Sequence, residues 1–482
     1  MTAGAAAAQG SERRHEAAVP TAGSIAYRAA YAICALGIAV ATAVSPRDNA
    51  GFLLGTFAGE RIVRGHAIPL HFGNETFTAA GAFDGGVGWL GGLATYALSL
   101  AGPAVSIFAT ALAAVATFAF VEARARRLAG RPLALAAAAL AFLCAISSLG
   151  VAGGIVTAAF VSILAYVLER PGPRAALVAT LLTVVWCNTS AAGVLAPAIA
   201  LCMAATSTFG GTPYERRWAR VAVAGTLLAI FATPALWAYP ALALEGLRID
   251  RTVGVVPENP IDVAPLAYHI GFLLVVLAAF AVGARRGRES SIPLLLCAAL
   301  LALANGAYVV VFGVLAAPIL AASAAEAFPA LAGSVTASMR TDFVAGAFAV
   351  VLAGIAAWQA GRSGAPLADG YALAASLAAD GRSHRLYCSN VDWCDAALPF
   401  APNIRVFMDG RIAPYPDAVR EAKRDVAFGD VHWKERLSER NVDTVIVAKG
   451  RLLSGLVGLS PRWRVVASDG TALLYERGAA PR

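Results

Sequence analysis

Charged residues are scarce in this chain. Asp, Glu, Lys and Arg make up 14% of its 482 residues, against roughly 25% in an ordinary soluble domain. Lysine is almost missing: Lys423, Lys434 and Lys449 are the only three, all in the last sixty residues, and every positive charge upstream is Arg. Cysteine is also sparse. Seven scattered cysteines exclude a disulfide framework. Cys34, Cys144, Cys187, Cys202 and Cys297 fall in apolar runs and read as small hydrophobes. Cys388 and Cys394 flank a five-residue gap near the C-terminus. They can pair in an oxidising compartment and stay buried thiols in a reducing one.

What is present is apolar surface. Hydrophobic residues make up 59% of the chain and the mean hydropathy is +0.67. No soluble core buries that much, so the bilayer must be part of the solvent. Apolar runs of span length lie at 25–45, 103–122, 132–150, 151–168, 175–191, 192–209, 219–242, 264–284, 290–306, 307–323 and 341–360. The expectation is a polytopic α-helical membrane protein with about eleven transmembrane helices. Residues 1–24 form a cytoplasmic tail, and the first run is read as an uncleaved span rather than a signal peptide. The run 87–101 is too short to cross comfortably and ends at Gly102-Pro103, so it reads as an interfacial or re-entrant helix.

Arginine placement tests that count. With the N-terminus in the cytoplasm, the inside loops carry Arg124, Arg126, Arg127 and Arg131; Arg170 and Arg174; Arg216, Arg217 and Arg220; Arg285, Arg286 and Arg288; and Arg340. Each is basic, as the positive-inside rule requires. An odd count follows, and residues 361–482 fall outside the cytoplasm. The net charge of +8 is therefore an orientation signal, and the pattern argues against nucleic acid. Two outside loops, 46–86 and 243–263, are long enough for function. Within the first, 51–64 reads as an amphipathic surface helix.

The spans hold almost no ionisable groups. Arg28, Glu122, Arg220 and Asp342 sit at ends and His269 near one. Ion-coupled transporters usually need intramembrane acids or histidines, so a transporter is the least supported reading. Chemistry would have to sit at the outer surface.

After residue 360 the pattern changes. Residues 370–380, 417–426, 432–440 and RLLSGLVGL read as helices. HRLYCS, IRVFMDG, VDTVIVA, WRVVAS and TALLYE read as strands. Alternating strands and helices imply a small α/β domain with a mostly parallel sheet.

Asp48 follows the first span directly. A carboxylate there can serve as a general base or a metal ligand, or simply as a loop acid or helix cap. Asp48, then Gly65-His66-Ala67-Ile68-Pro69, then Trp89-Leu90 resembles the first loop of GT-C membrane glycosyltransferases. VVWCNTSAAG at 184–193, with Trp186 and Asn188, resembles that family's Trp-x-Asn segment. Glu258-Asn259-Pro260 resembles its second outer loop. NVDWCDAAL and VFMDGRIAPYP at 406–416 resemble the periplasmic α/β domain of a bacterial subgroup.

The resemblance implies an inner-membrane enzyme taking a sugar from a polyprenyl-phosphate donor to a glycan, lipid or protein acceptor. It implies catalysis by Asp48, a Mg²⁺ or Mn²⁺ held by Asp48 and Glu75 with no other cofactor, and substrate contacts from Asp84, Asn188, Ser190 and Glu258. Asp409 and Arg411 form the C-terminal motif. The chain departs from the family in places: Ser190 stands where relatives often carry His, and ANGAYVVV replaces a segment that often begins with Arg. A non-catalytic scaffold on the same fold therefore stays beside the enzyme reading.

The residues themselves allow plainer roles. Asn188 beside Ser190 can fasten helices, worth about 0.6–2 kcal/mol in membranes. Glu258 can be a solvated loop acid, and His66 and His71 interface residues. Asp409-Gly410-Arg411 is read chiefly as a strand-end turn, with Gly410 supplying backbone freedom and Arg411 pairing with an acid such as Asp392. Trp393, Trp433 and Trp463 are expected in a core.

Overall fold

The computed structural model describes residues 22–44, 50–145, 154–249, 292–304, 308–327 and 368–478. The expected spans at 264–284 and 341–360, together with Asp48, Glu258, His269 and Asp342, lie outside the described residues.

The N-terminal part is helical: α1 (Ala22–Val44), α2 (Ala50–Gly65), α3 (Trp89–Ala101), α4 (Pro103–Ala129), α5 (Arg131–Ala145), α6 (Gly154–Leu168), α7 (Pro173–Thr189), α8 (Ala196–Gly210), α9 (Pro213–Ala229), α10 (Tyr239–Ile249), α11 (Ile292–Ala304) and α12 (Val309–Ala327). By length and composition, two described helices can cross a membrane, within α4 and α12. Six shorter apolar helices accompany them. Large apolar side chains such as Leu100, Phe108, Leu112, Leu181 and Leu228 are exposed on helix flanks, as lipid-facing positions would be. Small residues let the helices approach. A Cβ added at Gly313 of α12 would lie 2.6 Å from Cys144 Cβ of α5.

Two departures from the sequence expectation have clear causes. The run 219–242 is not one helix. α9 starts earlier, at Pro213, because Thr212 and Glu215 form a capping box that hydropathy does not register. It stops at Ala229, ahead of Pro234, which cannot donate a backbone hydrogen bond and restricts Thr233. Likewise Arg124, Arg126 and Arg127 are not in a loop. α4 runs through them to Gly130, whose positive φ of 85° terminates it. Arg124 is buried, donating to Leu315 O at 3.2 Å and pairing with Glu169 at 3.4 Å.

That end of the bundle is the basic one. Tyr27 at the start of α1 donates to Glu122 near the end of α4, so the two helices run antiparallel. α1 is built into the core, with Cys34 and Ile38 fully buried. α2 and α3 gather at the opposite end, lying side by side. Gly55 and Gly59 are spaced four apart on α2, and the face they leave bare receives α3. A Cβ on Gly59 would come within 2.2 Å of Gly92 O. The short 87–101 element is thus a helix of 13 residues packed on α2.

The C-terminal part comprises α13 (Ala368–Ala378), β1 (His384–Cys388), α14 (Val391–Ala397), β2 (Ile404–Val406), α15 (Asp417–Ala427), α16 (Trp433–Glu439), β3 (Thr444–Ala448), α17 (Leu452–Gly458), β4 (Trp463–Ser468) and β5 (Ala472–Arg477). The sheet order is β2-β1-β3-β5-β4. Its β2-β1-β3 half is parallel and its β3-β5-β4 half antiparallel. The expected mostly parallel sheet is therefore mixed. Only Asp469, Gly470 and Thr471 join β4 to β5, and a link that short makes a hairpin, never a crossover. Trp393 and Trp433 are buried and Trp463 is half-buried against the same core. Cys388 and Cys394 form a disulfide with a Cα–Cα distance of 5.7 Å.

The two parts are joined by segment 66–88. It folds back on itself through Asp84 N to Leu70 O (2.7 Å) and Phe72 N to Ala82 O (2.9 Å). Its middle then pairs with the outer edge of β2: Val406 N donates to Glu75 O at 2.8 Å, and Phe77 N to Val406 O at 3.3 Å. A loop strand thus covers an edge that would otherwise stay open.

Candidate functional site

A dense cluster of buried polar groups lies at this junction. Arg411 follows β2 in the Asp409-Gly410-Arg411 turn. Its guanidinium reaches Asp409 Oδ2 at 2.6 Å, Asp84 Oδ2 at 2.9 Å and Glu75 Oε1 at 3.1 Å. The Phe72 ring covers its flat face at 4.4 Å. Arg61 of α2 approaches the same Glu75 oxygen at 2.5 Å. Asp395 of α14 accepts from Gly410 N at 2.7 Å. All four carboxyl groups are buried. They face two guanidiniums, so full ionisation would leave an excess of two negative charges.

Protonation relieves part of that excess. Burial, reinforced by Asp409, pushes the Asp395 carboxyl well above the usual range. Burial also raises Asp84, against the opposing pull of Arg411. Burial works against the Arg411 charge, but Asp409 and Asp84 outweigh it and hold the guanidinium protonated. Bidentate, charge-assisted contacts of this kind fix orientation as well as distance.

Arg411 therefore does not pair with Asp392, the neighbour expected from sequence. Its partners lie 2, 327 and 336 residues away, and the fold of segment 66–88 brings the distant two within reach. Gly410 is also not needed for backbone freedom. It is needed for space: an added Cβ would meet Asp395 Oδ2 at 2.5 Å and Leu54 of α2 at 3.3 Å.

Asn188 and Ser190 belong to a second knot, at the end of α7. Asn188 accepts from the Trp89 indole and donates to Val184 O (2.8 Å) and Ala232 O (2.7 Å). It ties α3, α7 and the segment after α9 together. Ser190 Oγ accepts from Ala192 N at 3.2 Å, capping the 3-10 turn at 191–195. The buried Tyr239 hydroxyl donates towards Ser190 O and Ala191 O at 3.2 Å. The short segment 84–89 links the two knots. His66 and His71 are exposed, and His71 packs edge-on against Phe83 at 5.6 Å.

Sequence reasoning did not assign Arg61, Phe72, Asp395 or Tyr415, whose hydroxyl accepts from Asp409 N at 3.1 Å. Each was visible as a polar or aromatic residue near a motif, but nothing local marked it as a partner.

A cavity of about 590 Å³ adjoins the first knot. Phe57, Glu60, Arg61, Arg64, Leu398 and Pro399 are among its lining residues. Arg64 pairs with Glu60 at 2.6 Å and remains largely exposed. The lining sets two arginines and one glutamate against apolar walls. A divalent cation at Glu75 does not fit these surroundings, because the two guanidiniums on its Oε1 already balance the carboxylate and would repel a second cation beside it.

No protein-family model and no curated protein matches the chain. Solved structures do. ArnT from Cupriavidus metallidurans in the apo state aligns with a TM-score of 0.51 at 16% identity, covering 96% of this chain and 100% of that one. ArnT from the same organism bound to undecaprenyl phosphate aligns with a TM-score of 0.49 at 14% identity, covering 94% and 99%. Over 96% of its length the chain has the fold of apo ArnT, a polytopic helical membrane architecture, with a small sheet.

Proposed function

We propose that this chain is a GT-C-like glycosyltransferase that moves a sugar from a polyprenyl-phosphate donor to an extracytoplasmic lipid, glycan or protein acceptor. The observation that carries the reading is the fold shared with apo ArnT over 96% of this chain. The donor class follows the resemblance of the first loop. The proposed topology has eleven spans in a bacterial inner membrane, with residues 361–482 forming one domain outside the cytoplasm. Two features support that side. Arginines collect at the bundle end away from α2 and α3, as expected of a cytoplasmic face. The Cys388–Cys394 disulfide suits an oxidising compartment.

In this mechanism Asp48, which follows the first span in sequence, takes the proton of the acceptor hydroxyl. The hydroxyl oxygen bonds to the anomeric carbon as the bond from that carbon to the phosphate oxygen breaks. The leaving polyprenyl phosphate keeps the electron pair, and the proton ends on Asp48. A bound Mg²⁺ or Mn²⁺ would neutralise leaving-group charge. Glu75 itself is held by Arg61 and Arg411. The junction cluster holds the first loop against the C-terminal domain, and the cavity beside it offers Arg61 and Arg64 to an anionic part of the acceptor.

One observation favours the scaffold as a second reading. Glu75, Asp84, Asn188 and Ser190 are all engaged by protein partners. An Asp48→Asn variant separates the two. Sugar transfer in membranes from cells producing this variant is expected to fall about a hundredfold or more. Full activity would sink the catalytic assignment.

A further inference from the structure

A second polar cluster lies at the far side of the sheet, away from the junction. Asp380 follows α13, His384 opens β1 and Glu476 lies on β5. One nitrogen or oxygen from each falls within 4.8 Å of the others.

The hydrogen bonds around His384 fix which ring nitrogen is free. The Thr444 hydroxyl donates to Asp443 Oδ1 at 2.8 Å, and Asp443 also accepts from Arg385 N. With its proton spent, Thr444 Oγ1 can only accept from His384 Nδ1, 3.0 Å away. Nδ1 therefore carries a hydrogen, and Nε2 is the ring nitrogen that can give a lone pair to a metal ion. Nε2 points at both oxygens of Asp380, 3.0 Å from each, from a ring that is 4% exposed. At that distance Nε2–H donates to Asp380, and a metal ion taking the proton's place would bind the same atoms. A histidine whose other nitrogen donates into a hydroxyl–carboxylate relay is also how metal-binding imidazoles are held.

The carboxylates point the same way. Arg382 already bridges Asp380 Oδ2 (2.6 Å) and Glu476 Oε1 (2.8 Å), but its side chain is 60% exposed, so a metal ion arriving from solvent competes for the same oxygens. Glu476 would keep Arg464 on its other oxygen at 3.2 Å. Imidazole with two carboxylates favours Zn²⁺ and its neighbours over Mg²⁺ or Ca²⁺. Ligand atoms about 3.4 Å apart suit tetrahedral Zn²⁺, so a gap as wide as 4.8 Å must close by roughly 1.4 Å once Arg382 leaves, while Nε2 and Asp380, now 3.0 Å apart, open slightly.

We propose that Asp380, His384 and Glu476 bind a divalent cation of the Zn²⁺ class, which takes the place of the Arg382 guanidinium. The ion ties α13, the helix leading into the domain, to both the parallel and the antiparallel half of the sheet.

The test uses the purified full-length protein, stripped with a chelator and titrated calorimetrically with Zn²⁺. Co²⁺ absorption reports the coordination geometry. One Zn²⁺ should bind per chain. His384→Gln should abolish binding, and Arg382→Gln, which removes the competing cation, should tighten it about fivefold. If His384→Gln does not fold, the comparison of wild type with Arg382→Gln still decides. Absence of binding in both, or binding that His384→Gln leaves intact, overturns the proposal and leaves a proton as the cation on Nε2.

Discussion

Replacing Arg411 with Met would remove the cation that three buried carboxylates share. Arg61 still serves Glu75, so the loss falls chiefly on Asp84 and Asp409, held at 2.9 and 2.6 Å. Breaking one side of a buried ion pair costs about 3–5 kcal/mol. That sum does not have to unfold the domain, because segment 66–88 can detach instead. The readout is hydrogen exchange at the amides of Phe77 and Val406, which pair the loop with β2. A loss of that size should speed their exchange about a hundredfold to a few thousandfold. Amides in β3 should change far less. Two controls sharpen the case. Burial already raises the Asp84 carboxyl, so at pH 5 the stranded acids take up protons more readily and the defect should shrink. Adding Asp84→Asn to the Met variant should restore part of the protection. Unchanged exchange at Phe77 and Val406 in the Arg411→Met protein would refute the latch.

Other expectations follow from the same packing. Burial holds the Lys423 ammonium down at about 7, against 10.5 for an ordinary lysine, and its Nζ donates to Cys388 O. Between those values the unfolded chain binds more protons than the folded one, so stability should rise with pH. From pH 7 to 9.5 the gain around the C-terminal sheet should approach about 3 kcal/mol. It should vanish in Lys423→Met, as read by exchange in β1 and α15. Gly59→Ala drives a Cβ to 2.2 Å from Gly92 O. It should cost about 1–3 kcal/mol and lower the melting temperature, while Gly65→Ala, whose Cβ meets nothing, should be tolerated. Asn188→Ala frees the Trp89 indole and Ala232 O and should cost about 0.6–2 kcal/mol in thermal unfolding.

Much of the fold was legible because local rules govern it. Apolar runs located α4 and α12, the two described helices long enough to cross a membrane, and residue pattern located all five strands. The capping box of Thr212 and Glu215 was legible too, had the polar first turn of α9 been weighed against hydropathy. The partners of Arg411 were not legible. Proximity in sequence pointed to Asp392, whereas the real partners Asp84 and Glu75 arrive from a loop more than 300 residues upstream. Long-range pairing of charges depends on how two folded parts dock, and no spacing rule encodes it. The sheet's mixed character could have been read from the three residues between β4 and β5.

The central claim is that this fold serves transfer from a lipid-linked sugar. The most direct measurement is mass spectrometry of what co-purifies with the full-length protein in mild detergent. The account predicts a polyprenyl-phosphate sugar bound to the protein. Its reproducible absence, with no affinity for added donor, would contradict the enzyme reading and leave the scaffold.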